Sequence, residues 1–134
     1  AFVVITGGEP LHHNLDYLCN SLKPVGLPIH LETSGVDQLS GCFDWICLSP
    51  KRHRPPSQAL LTACNELKVV VHEAADLEFA VAMAAAANRG KNKPVLMLQP
   101  GADSKAGSSI AINYVMAHPA WRLSLQTHKW LGVR

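Results

Sequence analysis

Residues 3–11 read VVITGGEPL. Val3, Val4 and Ile5 followed by Thr6 make a run too short and too β-branched for a helix, which predicts a buried strand over 2–6. That strand runs straight into Gly7, Gly8, Glu9 and Pro10. Two residues without a Cβ let the backbone approach a ligand closely and offer bare N–H and C=O groups. Glu9 brings a carboxylate suited to an ammonium group, and Pro10 fits the first turn of a helix. The same residues also suit an ordinary strand-to-helix turn capped by Glu9. No G-K-[ST] follows, so the stretch is not a P-loop, and it is not a Rossmann glycine motif.

Working outward, apolar β-rich runs alternate with helical patterns. Leu11, Leu15, Leu18 and Leu22 form one stripe of an amphipathic helix. Strands are predicted at 29–32 and 45–49, joined by a stretch with turn chemistry and no helix. Ser57 suits the N-cap of a helix that leads into a strand at 67–71. Asp76 is predicted to open a long helix that Gly90 ends in a left-handed conformation. A strand at 94–100, a helix at 108–117 and a strand at 121–126 complete the chain. Strands joined by crossover helices imply an α/β fold with a mostly parallel sheet. Six strands favour a partial, incomplete β/α barrel, and residues 1–134 read as a single domain.

Composition narrows the function. The chain is 48% hydrophobic and 16% charged, which excludes disorder and suggests strands buried on both faces. A net charge of +2 argues against nucleic-acid binding, and only Lys51–Arg54 is locally basic, as a solvated loop or an anion contact. No apolar run approaches the ~20 residues that span a bilayer, and no secretory leader pattern opens the chain. A cytoplasmic location without a membrane partner is expected. Cys19, Cys42, Cys47 and Cys64 show no metal-ligand spacing and read as small buried or half-buried residues; Cys42 and Cys47 flank a strand, which leaves a redox or ligand role open for them. His12 and His13 read as solvent-facing, and Trp121 and Trp130 as packing the barrel end or a subunit contact. No metal ligand set and no catalytic residue is assigned.

In parallel α/β sheets, ligands bind beyond the carboxyl ends of the strands. Those ends here carry TGGEP, LETSG, LSPK, LQPGAD and LQTHK, each polar or glycine-bearing where the strand bodies are apolar. A site is expected on that rim. ITGGEPL at a strand end resembles the GGEP motif of the radical S-adenosylmethionine (SAM) enzymes. LETSG, LSPK, LQP and the terminal RLSLQTHKWLGVR narrow the resemblance to the 7-carboxy-7-deazaguanine synthase family, over the whole chain from Val3 to Arg134.

The resemblance implies a radical-SAM-type partial barrel and a lyase reaction. SAM is cleaved to a 5′-deoxyadenosyl radical that takes a hydrogen from 6-carboxy-5,6,7,8-tetrahydropterin. Magnesium-assisted ring contraction then yields 7-carboxy-7-deazaguanine with loss of ammonia, in the biosynthesis of the tRNA nucleoside queuosine. It implies SAM contacts at Gly7, Gly8, Glu9, Ser49, Pro50, Lys51, Gln99, Pro100, Gly101 and Ala102. Pterin contacts are implied at Thr6, His128 and Arg134, with a supporting role for Glu32. A homodimer and an external electron donor are further implications.

The family holds a [4Fe–4S] cluster on three closely spaced cysteines upstream of GGEP, with a threonine on Mg²⁺ beside them. The four cysteines here lie downstream of GGEP and lack that spacing. With a hydrophobic first strand and no residues before it to pair with, the chain is expected to be the C-terminal part of a longer enzyme, inactive alone. The alternatives are a fragment of another radical SAM enzyme of the activating type, and a non-catalytic SAM- or nucleotide-binding module.

Overall fold

The computed structural model of the protein describes residues 1–133. Six strands form one sheet: β1 (Val3–Ile5), β2 (Ile29–Thr33), β3 (Trp45–Leu48), β4 (Glu66–Val71), β5 (Val95–Pro100) and β6 (Trp121–Leu123). They lie in sequential order and every pairing is parallel, so all six carboxyl ends open onto one rim. The helices are α1 (Asp16–Leu22), α2 (Gln58–Ala63), α3 (Ala74–Ala87), α4 (Lys105–Ala117) and α5 (Thr127–Trp130). No described helix is long and apolar enough to cross a membrane.

The core lies between the sheet and its helices. Leu31, Leu48, Leu67, Val71 and Leu98 from the strands meet Leu60 from α2, all fully buried. Each such side chain gains roughly 2 kcal/mol by leaving water. Ala80, Ala84 and Ala87 of α3 and Gly107 and Ala111 of α4 supply the facing surface, and their small side chains let the helices lie close to the strands. A Cβ on Gly107 would stand 2.1 Å from the Val71 carbonyl oxygen, so α4 touches β4 backbone to helix.

The expectation of strands buried on both faces holds for β3, where Ile46, Cys47 and Leu48 are all buried, and is corrected for β2 and β4. β2 and β4 alternate fully buried and half-buried residues. Leu31, Leu67 and Val69 face the helices, whereas Glu32, Cys47 and Glu66 stand in one row across the register of the second face. On that face the Lys68 ammonium lies 3.3 Å from the Glu32 carboxylate. Burial alone would lower the Lys68 pKa, but the neighbouring acidic groups raise it, so the residue is held charged.

All six strands fall where the sequence placed them, except that β6 ends at Leu123 and not at 126, and Ser57 caps α2 by accepting from the Leu60 N–H. Four helix expectations change. α4 begins at Lys105 and not at 108, capped by the Ser104 hydroxyl accepting from the Gly107 N–H. The leucine stripe is broken, because residues 10–12 form a 3-10 turn and α1 begins only at Asp16. Leu11, Leu15 and Cys19 are consequently buried and Leu18 is exposed. Asp76 lies inside α3, whose N-cap is Glu73. Gly90 is not left-handed; a Cβ there would meet Thr62, so close packing accounts for its place. The structure also adds α5, which has no amphipathic pattern to announce it, and Trp121 is buried at the sheet's end.

Candidate active site

The carboxyl ends of β1, β2 and β3 enclose a cavity of about 340 Å³, into which Thr6, Gly8, Glu9, Ser49 and Lys51 face. Gly7 and Gly8 carry φ angles of +89° and +51°, in the left-handed region where a side chain is strained. Nothing lies within 4 Å of where their Cβ atoms would be. Their conformation, not crowding, demands glycine, and the turn leaves open space against bare backbone.

Glu9 has a fully engaged carboxylate. Oε1 accepts from the Thr33 hydroxyl at 2.5 Å and from the Leu11 N–H at 3.3 Å. Oε2 accepts from the Ser34 N–H at 2.8 Å and from the Ser34 hydroxyl. Burial would raise the pKa of Glu9, but the bonds from Ser34, Thr33 and Leu11 outweigh it and hold the group below its ordinary value. Four donors fill the roughly four lone-pair sites of a carboxylate. Glu9 therefore caps the 3-10 turn and ties β1 to β2, as the turn-capping alternative has it, and reaches the cavity as a fixed negative charge. Its partners Thr33 and Ser34 lie within the LETSG stretch; a T-S pair at a strand end offers hydroxyls, but nothing local in the sequence says which acid takes them.

Ser49 is half-buried, its N–H donating to the Thr33 carbonyl at 2.8 Å, and Pro50 beneath it is buried. Lys51 is exposed at the cavity mouth and makes no ion pair among the described residues. Glu32 and His12 also line this cavity; His12 Nδ1 lies 2.5 Å from Asp37 Oδ2, a partnership the expectation of an ordinary solvent-facing histidine did not include. The basic run is partly absorbed elsewhere, since Arg52 turns away to Glu73 and Asp76.

Gln99, Pro100, Gly101 and Ala102 sit at the end of β5. Pro100, Gly101 and Ala102 line a second, larger cavity of about 1020 Å³, shared with Ser124, Gln126 and the loop before α4. Gln99 is buried and accepts from the Ser124 hydroxyl at 3.3 Å. The structure thus keeps the LSPK and LQPGA segments on one rim but in two neighbouring cavities. His128 is exposed on α5 and lines neither. Arg134 and the Trp130 side chain lie outside what the structure describes.

No protein-family model matches the chain. Among curated proteins, a 7-carboxy-7-deazaguanine synthase of Prochlorococcus marinus is 50% identical, over 99% of this chain and 68% of its own length. One from Synechocystis is 48% identical, over 100% of this chain and 63% of its own length. The chain belongs to the 7-carboxy-7-deazaguanine synthase family. A crystal structure of QueE from Escherichia coli is similar with a TM-score of 0.81 and 32% identity, over 93% of this chain and 56% of that one. The sheet is accordingly the radical-SAM-type partial barrel that the motifs implied. The chain spans about two thirds of the length of its synthase relatives and just over half that of QueE.

The cofactors implied by this synthase family fit these residues unequally. The open left-handed glycine turn, the exposed Lys51 and the half-buried Ser49 suit a ligand with amine, carboxylate and ribose groups such as SAM. For the [4Fe–4S] cluster and Mg²⁺ the described residues do not fit. No group of three His, Cys, Asp or Glu is placed to hold a metal, and Cys19, Cys47 and Cys64 are buried apart with Cys42 exposed.

Proposed function

We propose that the chain supplies the SAM- and substrate-lining rim of a radical SAM lyase. The lyase converts 6-carboxy-5,6,7,8-tetrahydropterin to 7-carboxy-7-deazaguanine with loss of ammonia, in queuosine biosynthesis. The observation that carries this is Gly8, in the open left-handed Gly7–Gly8 turn, lining one cavity with Lys51, in a chain of which 99% matches a named synthase at 50% identity.

In this reading the backbone of Gly7 and Gly8 receives the amino-acid end of SAM. The engaged Glu9 carboxylate attracts the ammonium through its field. The Lys51 ammonium meets the carboxylate of SAM, and Ser49 meets its ribose, with Pro50 holding both in place. Gln99, Pro100, Gly101 and Ala102 line the remainder of SAM. Thr6, His128 and Arg134 contact the pterin. SAM and its cluster, when bound, supply the radical chemistry, and these residues bind, orient and exclude water. The cluster and Mg²⁺ ligands are assigned outside the described residues, so this chain by itself does not turn over. The intact enzyme works in the cytoplasm as a homodimer with an external electron donor.

The test is anaerobic turnover of the carboxypterin by the natural full-length protein, with Lys51→Ala beside it. Formation of the deazaguanine product, and weakening of SAM binding by about tenfold or more on losing one charge-assisted contact, is expected. A wild-type protein that binds SAM but neither binds nor converts the pterin would point to a plain SAM module. Turnover by residues 1–134 alone with added iron and sulfide would defeat the placement of the cluster elsewhere.

A further inference from the structure

We infer that Arg52 and His72 are positioning residues: through the N-terminus of α3 they strap the loop after β3, which carries Ser49 to Lys51, to the loop after β5, which carries Gly101 and Ala102. The inference rests on the SAM-lining role proposed for those loops and concerns two residues that line neither cavity.

The contacts are continuous. The turn after β3 is closed by the Arg54 N–H donating to the Lys51 carbonyl at 3.1 Å, so anchoring Arg52 also fixes Lys51 beside it. Arg52 Nη2 lies 2.5 Å from Glu73 Oε1, and its Nε lies 3.4 Å from Asp76 Oδ1. The second oxygen of Asp76 accepts the N–H groups of His72 at 2.9 Å and Glu73 at 3.1 Å. The His72 carbonyl accepts from the Ser104 hydroxyl at 3.3 Å, and the Gly101 N–H donates to Val71 at 2.8 Å. The His72 ring lies directly against Gly101, where a Cβ would fall 2.1 Å from its Cε1.

A lone exposed ion pair adds little to stability, and Arg52 is not needed to hold the fold. What sets it apart is that its planar fork grips two carboxylates of one helix terminus, and one of these, Asp76, is only 14% exposed and already fixed by two N–H groups. The two loops thus meet the same rigid helix start from opposite sides, and displacement of one is felt at the other. A lysine at position 52 carries the charge without the fork and reaches one carboxylate at a time.

The experiment compares wild type, Arg52→Ala, Arg52→Lys and His72→Ala in the natural full-length enzyme with its cluster reconstituted. Amide hydrogen exchange, SAM titration and steady-state kinetics are measured. Arg52→Ala is expected to speed exchange at 49–54 and, remotely, at 101–105 by about three- to tenfold, and to raise the SAM dissociation constant and KM by a similar factor. The melting temperature and kcat change little, and Arg52→Lys falls between. His72→Ala reproduces the effect at 101–105 directly and is felt at 49–54 to a smaller degree. Exchange that rises at 49–54 alone after Arg52→Ala overturns the strap, as does unchanged SAM binding with both loops loosened. A wild-type enzyme that fails to bind SAM sinks the cofactor reading instead, and the exchange at 101–105 then decides the strap by itself.

Discussion

Ser34 grips Glu9 twice, through its N–H at 2.8 Å and through its hydroxyl, across 25 residues of sequence. The link joins the glycine turn after β1 to the loop after β2, so one carboxylate both lines the cavity and caps the first turn. Removing this carboxylate therefore tests fold and site together. Glu9→Ala loses a cap and charge-assisted hydrogen bonds and is expected to cost about 2 kcal/mol in urea unfolding.

The same residue sets a pH dependence. Its folded pKa is depressed, so its contribution is complete above the ordinary value of 4.5 and is lost as the pH falls through the lower folded value. Unfolding free energy measured from pH 6 downward should fall more steeply in wild type than in Glu9→Gln. Parallel slopes would mean that the hydrogen bonds to Ser34 and Thr33 do not discriminate the ionised form.

Gly8→Ala separates conformation from crowding. The new methyl meets no atom, but φ of +51° costs a non-glycine residue about 1 kcal/mol. A melting shift of that size is expected, together with a larger loss in SAM titration, because the methyl enters the open cavity. Equal losses in the two measurements would place the ligand elsewhere.

Gly107→Ala gives the opposite balance. Here a methyl would stand 2.1 Å from a backbone oxygen of β4, which cannot swing aside. Forcing α4 off the sheet is expected to cost about 1–3 kcal/mol in the denaturant midpoint.

Thiol labelling reads the cysteine placement directly. Cys42 is exposed, whereas Cys19, Cys47 and Cys64 are buried. Burial raises the Cys64 thiol pKa to about 11 and that of Cys47 further, and both stay protonated. Of these four cysteines, native protein should label only Cys42 with a maleimide reagent at neutral pH and all four after unfolding, read peptide by peptide in mass spectrometry. Rapid native labelling of Cys47 would reopen the role that its place in β3 suggested.

The sequence by itself determined the strand positions, the α/β class and the rim on which the site lies. Short β-branched runs ended by polar, glycine-bearing segments carry that information locally, as at Val3 to Gly8. It also determined the family, because TGGEP, LETSG, LSPK and LQTHK fall in order along one chain. Only the tertiary structure decided the helix phase after β1. Leucine spacing is the same whether a helix begins at residue 11 or 16, and the loop that fixes the answer, with the Leu15 N–H donating to the Ser40 hydroxyl, returns from 25 residues away. Nor is the division of labour among the charges local. Glu9 and Lys51 look equally available in sequence, yet Thr33 and Ser34 fold over one while the other has no ion pair among the described residues, since a partner across a parallel sheet is chosen by register and not by neighbours in the chain.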